Sequence, residues 1–289
     1  MPTMTGKQAL AQMLLAEGVE YIFGNPGTSE SPLLDVLQDF RQLRYVQALQ
    51  EGSAVGMADG YARATGRPSF ANVHIAGGLA NGISGLYNAF KGGTPLVLTA
   101  GNSDSRMFLT EPVLSGDLVQ MAAQYTKWSA EILHASEVPL ALRRAFKEAK
   151  TPPTGPVFLS LPWDSMDETA DVEIIPSSQG YYRTRPDTAA VARASQILAQ
   201  AENPIIVVGD RVAHSGAVSQ VVRVAEQLGA KVYAATLTEV NFPTSHDLYG
   251  GMLNLNSPSA RRQFDGVDVV LAVGANVFSS FLYVPVPFL

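Results

Sequence analysis

Val19-Glu20-Tyr21-Ile22-Phe23-Gly24-Asn25-Pro26-Gly27-Thr28-Ser29-Glu30 is the stretch that decides the fold. Residues 19–23 read as a short buried strand. Gly24-Asn25-Pro26-Gly27-Thr28 then reads as a turn, and residues 31–40 as a helix. Upstream, Thr5 followed by Gln8 is a capping-box pattern that opens a helix through Glu17, which Gly18 stops. Open parallel sheets bind ligands beyond the carboxyl ends of their strands, so the turn is well placed for a site. Gly27 permits close backbone approach, and Thr28 offers a hydroxyl near a helix N-terminus, suited to a carboxylate. Taken alone, the same residues also fit an ordinary tight turn with Ser or Thr as the cap.

Further along, strand-like runs at residues 45–49, 69–75, 95–101 and 157–161 alternate with helical stretches at 78–90, 117–125 and 136–150. Ser136 is the expected N-cap of the last helix. This alternation predicts a parallel sheet covered on both faces. Residues 165–187 mix acids, Pro186, Ser177-Ser178 and Gly180-Tyr-Tyr without a sustained period, and read as a linker. A new series begins near Thr188, with a helix to Gln200, strands at 204–209, 231–235 and 268–273, and a helix near 217–228. The expected fold class is therefore α/β, with two doubly wound parallel-sheet domains. The boundaries are 1–164, a linker at 165–187, and a Rossmann-like domain at 188–289 that looks incomplete with three clear strands.

Composition narrows the function. The 289 residues are enough for one large or two ordinary domains, and 16% charged against 46% hydrophobic residues suits buried parallel strands. A net charge of −6 without a Lys/Arg cluster excludes a general nucleic-acid binder. The absence of cysteine excludes disulfides, thiolate metal sites and a Cys nucleophile, and suits a reducing cytoplasm. Met1-Pro-Thr-Met-Thr5 lacks the regions of a signal peptide, and no apolar stretch is long enough for a bilayer. A soluble cytoplasmic protein is expected.

Glu51 stands between the run at 45–49 and a small-residue helix, Gly52-Ser-Ala-Val-Gly-Met-Ala-Asp-Gly-Tyr-Ala-Arg-Ala. It reads either as an acid at a helix N-terminus, worth roughly 0.3–1 kcal/mol, or as a packed carboxyl kept neutral to share a proton with a heteroaromatic nitrogen. His74 ends the 69–75 run beside Gly77-Gly78, where an imidazole can exchange protons near neutral pH. Gly77-Gly78 and Val208-Gly209-Asp210 both lack the dinucleotide fingerprint. His134, His214 and His246 have no metal-ligand spacing and read as surface or structural.

The ordered set of Gly-Asn-Pro-Gly-Thr, Gln50-Glu51, Gly60-Tyr-Ala-Arg-Ala-Thr-Gly66, Asn72-Val-His74, Gly77-Gly78 with Asn81, Lys127-Trp128 and Gly155-Pro-Val-Phe-Leu-Ser-Leu-Pro162 resembles the thiamine diphosphate-dependent decarboxylase and acetolactate synthase superfamily. Within it the benzoylformate decarboxylases are most similar. The resemblance runs from about Thr5 to Ala275 and includes Phe242-Pro-Thr-Ser-His246.

It implies a pyrimidine-binding first domain and a Rossmann-like second one. By that likeness Glu51 hydrogen-bonds the aminopyrimidine ring of thiamine diphosphate and drives it toward its imino form. Thr28 contacts the substrate carboxylate, and His74 transfers protons. Asn25, Pro26, Gly27 and Asn81 line the cofactor's ring end, and Leu114 is an apolar wall of the substrate pocket. Phe281 stands where the benzoylformate decarboxylases carry a second catalytic histidine, which departs from their pattern. The Gly-Asp-Gly…Asn signature for diphosphate and a Mg2+ or Ca2+ ion has no match, so a C-terminal domain or chain is expected to supply it.

The implied activity is decarboxylation of a 2-oxo acid, with an acetolactate-synthase-like carboligase or a non-catalytic module of the same fold as alternatives. Family members place the active site between two chains, so a homodimer or homotetramer is expected.

Overall fold

The computed structural model describes residues 1–178, 185–236, 238–253, 261–277 and 283. The chain divides into two compact units, Met1–Tyr182 and Arg183–Leu289. Strand β1 (Thr3–Thr5) leads into helix α1 (Gly6–Ala16). The capping box forms as read: Gln8 N–H donates to Thr5 Oγ1, and Thr5 N–H donates to Gln8 Oε1. Strands β2 (Tyr21–Asn25), β3 (Arg44–Gln47), β4 (Ser69–Val73), β5 (Leu96–Asn102), β6 (Ser129–Glu131) and β7 (Val157–Pro162) follow. They make one parallel sheet in the order β3-β2-β4-β5-β7-β6.

Helices α2 (Ser31–Val36), α3 (Glu51–Thr65), α4 (Ile75–Gly92), α5 (Leu118–Ala123) and α6 (Val138–Lys150) connect the strands, and α7 (Trp163–Asp167) follows β7. Alternation along each strand divides the core. Phe70, Val97 and Leu159 pack with Leu10 and Leu14 of α1 and Phe146 of α6. Ala71, Val73 and Leu98 pack on the other face with Val55 of α3, Leu79 of α4 and Leu118 of α5. Each fully buried large apolar side chain contributes roughly 1.5–3 kcal/mol, so both helical layers are anchored by the strands they cover. The strands read as continuous apolar runs because neither face meets water.

Two readings change. Ser136 is not the cap of α6: it lies in a 3-10 turn, Ala135–Glu137, and the helix starts at Val138. Pro139 explains the shift, since a residue without an N–H is best placed in a first turn. The run read as strand to residue 75 stops at Val73, and α4 begins at Ile75 rather than 78. Within the stretch read as a linker, β8 (Thr169–Asp171) pairs antiparallel with β1.

The second unit opens with α8 (Thr188–Gln200). It continues with β9 (Pro204–Val208), α9 (Arg211–His214), α10 (Val218–Leu228), β10 (Lys231–Ala234), β11 (Tyr249–Met252) and β12 (Val269–Val273). Its four strands are parallel in the order β11-β10-β9-β12. Ile206, Val208 and Val232 pack on Val221 and Ala225 of α10, while Ile205 and Val207 face Leu253 and Phe264. No helix among the described residues is long and apolar enough to cross a membrane.

Candidate active site

In the first unit the chain steps from β2 outward to β3, then returns to β4 on the other side of β2. That reversal falls at the carboxyl ends of β2 and β4, the general ligand position, or crevice, of open α/β sheets. The segments leaving β2, β3 and β4 bring Asn25, Glu51, His74 and Asn81 together there.

Glu51 is the first residue of α3, but it is not the cap. Gln50 takes that role, accepting from Ser53 N–H at 3.0 Å. Glu51 is 7% exposed. Asn25 Nδ2 donates to one of its oxygens and Asn81 Nδ2 to the other, both at 3.0 Å.

The expectation that packing keeps Glu51 neutral is not met here. Burial pushes its carboxyl up, but donation from Asn81, from its own backbone N–H and from Asn25, with the His74 imidazole nearby, outweighs burial and holds it below the usual value. Hydrogen bonds to the charged form thus win over desolvation.

His74 closes the other side. Its Nδ1 lies 2.8 Å from Glu30 Oε2 and 3.0 Å from Ser29 Oγ. Glu30 is 2% exposed and accepts throughout: from Gly27 N–H at 2.8 Å, Gly101 N–H at 2.9 Å and Ser29 Oγ at 2.7 Å. With a carboxylate on that side, Nδ1 is the ring nitrogen assigned a hydrogen.

Two glycines make the arrangement possible. A Cβ on Gly27 would stand 2.3 Å from His74 Nδ1, and one on Gly78 would stand 3.0 Å from Glu51 Oε1.

Ser29 and Glu30 join the site although no motif in the sequence marks them for a role. The available signal was an acid three residues after Gly27, the capping-box interval. In the structure Glu30 does return to the Gly27 N–H, and its second oxygen reaches β5.

The remaining expected residues are placed less closely. Thr28 is exposed at the start of the 3-10 turn Thr28–Glu30, with Pro26 and Gly27 half-buried before it. Leu114 is 54% exposed on the loop after β5. Phe281 lies outside the described residues. His134, His214 and His246 sit 3.4–3.8 Å from single glutamates, and no metal-binding cluster exists among the described residues. At the reversal point of the second sheet, Asp210 accepts from Glu239 N–H, and a Cβ on Gly209 would stand 2.5 Å from Gly274 O. Backbone therefore packs closely against Gly209.

In donor chemistry the site suits a heteroaromatic nitrogen: a buried carboxyl held by two amides, with an imidazole within electrostatic reach. The described residues offer no donor set for a metal-bound diphosphate.

The first unit is thus a doubly wound α/β unit with a buried glutamate and a carboxylate-held histidine at its switch point. The chain belongs to the thiamine pyrophosphate enzymes. Residues 4–123 match the N-terminal TPP-binding domain of that family, and residues 191–287 match its central domain.

Benzoylformate decarboxylase of Pseudomonas aeruginosa is 37% identical over 97% of this chain and 54% of its own length. The acetolactate synthase isozyme 3 large subunit of Escherichia coli is 28% identical, over 95% of this chain and 49% of its own. The thiamine diphosphate-dependent 4-hydroxybenzoylformate decarboxylase of Rhodococcus jostii RHA1 superposes with a TM-score of 0.90 at 32% identity, covering 99% of this chain and 55% of that one. The chain thus spans about half the length of the relatives it matches.

Proposed function

We propose that this chain supplies the pyrimidine-side half of an active site that decarboxylates a 2-oxo acid with thiamine diphosphate. The observation that carries the reading is Glu51, a buried carboxyl clamped by Asn25 and Asn81 at the sheet's switch point. Bound thiamine diphosphate supplies the electron sink into which carbon dioxide loss delivers its electron pair.

The residues of this chain bind, orient and move protons. Glu51 holds or accepts the proton shared with the ring nitrogen, and the two asparagines fix the plane of its carboxyl. Pro26 and Gly27 form the turn against which that ring end rests. His74, oriented by Glu30, moves a proton at Nε2. Thr28 presents a hydroxyl to the substrate carboxylate. Leu114 supplies apolar pocket wall, which suits an apolar or aromatic 2-oxo acid.

The diphosphate and its Mg2+ or Ca2+ ion belong to a C-terminal domain or chain, within a homodimer or homotetramer in the cytoplasm. A carboligase is the second reading, favoured by the acetolactate synthase relatives.

The test pairs this chain with a C-terminal half supplying the diphosphate site. A panel of 2-oxo acids is followed by released carbon dioxide and product identity, for the parent and for Glu51→Ala. Aldehyde and carbon dioxide in equal amounts, abolished in the variant, are expected. Undiminished turnover by Glu51→Ala would overturn the assignment, and coupled products would favour the carboligase.

A further inference from the structure

Among the described residues, three besides glycine have a left-handed backbone: Ile75 at φ 40°, Glu111 at φ 50° and Leu114 at φ 68°. A β-branched residue is the least tolerant of that region. Ile75 is also 4% exposed and is the first residue of α4, where φ near −60° is the norm. It directly follows His74.

Two demands meet at this point. The carbonyl of His74 accepts from Gly78 N–H at 2.6 Å and closes the first turn of α4. The His74 ring must meanwhile reach across to the segment after β2, over Gly27, to meet Ser29 and Glu30. His74 itself remains extended, at φ −84° and ψ 106°. The change of direction between strand and helix therefore falls on Ile75.

The loop holding the other two left-handed residues ends nearby: a Cβ on Gly116 would lie 3.5 Å from Ala76 Cβ. Strained backbone persists where the surroundings over-determine it, and such residues cluster at functional sites.

We infer that Ile75 is a positioning residue for His74: its buried side chain locks a left-handed turn that aims the imidazole at Glu30. A glycine would adopt the turn with less strain but leave it loose. The inference rests on the proposed proton-transfer role of His74, yet its test does not use turnover, so the two can fail separately.

Ile75→Ala and Ile75→Gly are compared in the 289-residue chain. Both lack the buried side chain, so its loss largely cancels. At an ordinary helix position the Ala variant melts higher; at a left-handed position the Gly variant does. The expected result is the Gly variant melting about 2–4 °C above the Ala variant.

The second readout is the tautomer of His74 by nitrogen NMR near neutral pH, assigned with His74→Gln. The parent and Ile75→Val are expected to keep the hydrogen on Nδ1, and Ile75→Gly to show a mixture. This arm stands if the Ala variant does not fold. An Ala variant more stable than the Gly variant, or a His74 tautomer unchanged by Ile75→Gly, would overturn the assignment.

Discussion

Nδ1 of His74 lies 2.8 Å from Oε2 of Glu30, a carboxyl buried between the segments after β2 and β4. The remaining acceptor positions are taken by the Gly27 and Gly101 N–H groups and the Ser29 hydroxyl. One side chain therefore ties the turn after β2 to the end of β5 and fixes the histidine after β4. Removing it strands more than one buried donor, each worth about 1–3 kcal/mol when unpaired. Glu30→Ala should lower the stability of the first unit by about 3–5 kcal/mol in urea titration. A loss below about 1 kcal/mol would mean that water replaces the carboxyl easily, and the orienting role would go with it.

Adjacent glycines in α4 should respond with opposite signs. Gly77 is exposed, and a Cβ there meets nothing within 4 Å. Gly77→Ala should therefore stabilise the chain by about 0.4–1 kcal/mol through the unfolded state. At Gly78 the new carbon meets Glu51 Oε1 at 3.0 Å, Glu51 Cγ at 3.1 Å and His74 Cβ at 3.2 Å. Gly78→Ala must displace a buried carboxyl or the histidine, with an expected loss of about 1–3 kcal/mol by the same titration. Equal responses at the two positions would contradict the packing described around Glu51.

The legible part of the fold was whatever local pattern fixes. Apolar runs at β4, β5 and β7, the Thr5–Gln8 box and the Gly24–Thr28 turn all declare themselves through composition or spacing. Three-residue strands such as β1, β6 and β8 carry no period to read, and β8 forms because β1 offers it an edge.

The site divides in the same way. Asn25, Glu51, His74 and Asn81 were visible because ordered motifs surround them, and the structure brings these four together. Glu30 was hidden because its chief contacts, His74 and Gly101, lie 44 and 71 residues away. The charge state of Glu51 was misjudged for a related reason. Burial follows from an apolar context, but two distant amides that reverse its effect do not.

That reversal has a pH signature. The Glu51 carboxyl is held below its ordinary value of 4.5 in the folded chain. A carboxyl depressed on folding contributes stability that is fully present above the unfolded value and is lost as pH falls through the folded one. Glu51→Gln removes that contribution. The stability difference between parent and variant should stay constant from pH 7 to about 5 and shrink progressively below about 4.5, read by urea titration at each pH. A difference that instead grows on acidification would show the folded carboxyl to be raised.

The segment leaving the first unit is held by a second buried carboxyl, Glu17, whose side chain is 2% exposed. It accepts from Ser177 N–H, from Ser177 Oγ at 2.7 Å and from Lys150 Nζ at 3.2 Å. Backbone and side chain of one residue are thereby clamped to the end of α1. Glu17→Ala should free residues 172–178 and lower stability by about 2–3 kcal/mol, since a partly buried ammonium loses its ionic partner and keeps only the Ser177 hydroxyl. Lys150→Ala should be milder, because both Ser177 contacts to Glu17 survive it. Limited proteolysis is the measurement: cleavage within 172–178 should accelerate several-fold in Glu17→Ala and much less in Lys150→Ala. Equal acceleration would assign the hold to the lysine, and none in either would place it in the β1–β8 pairing instead.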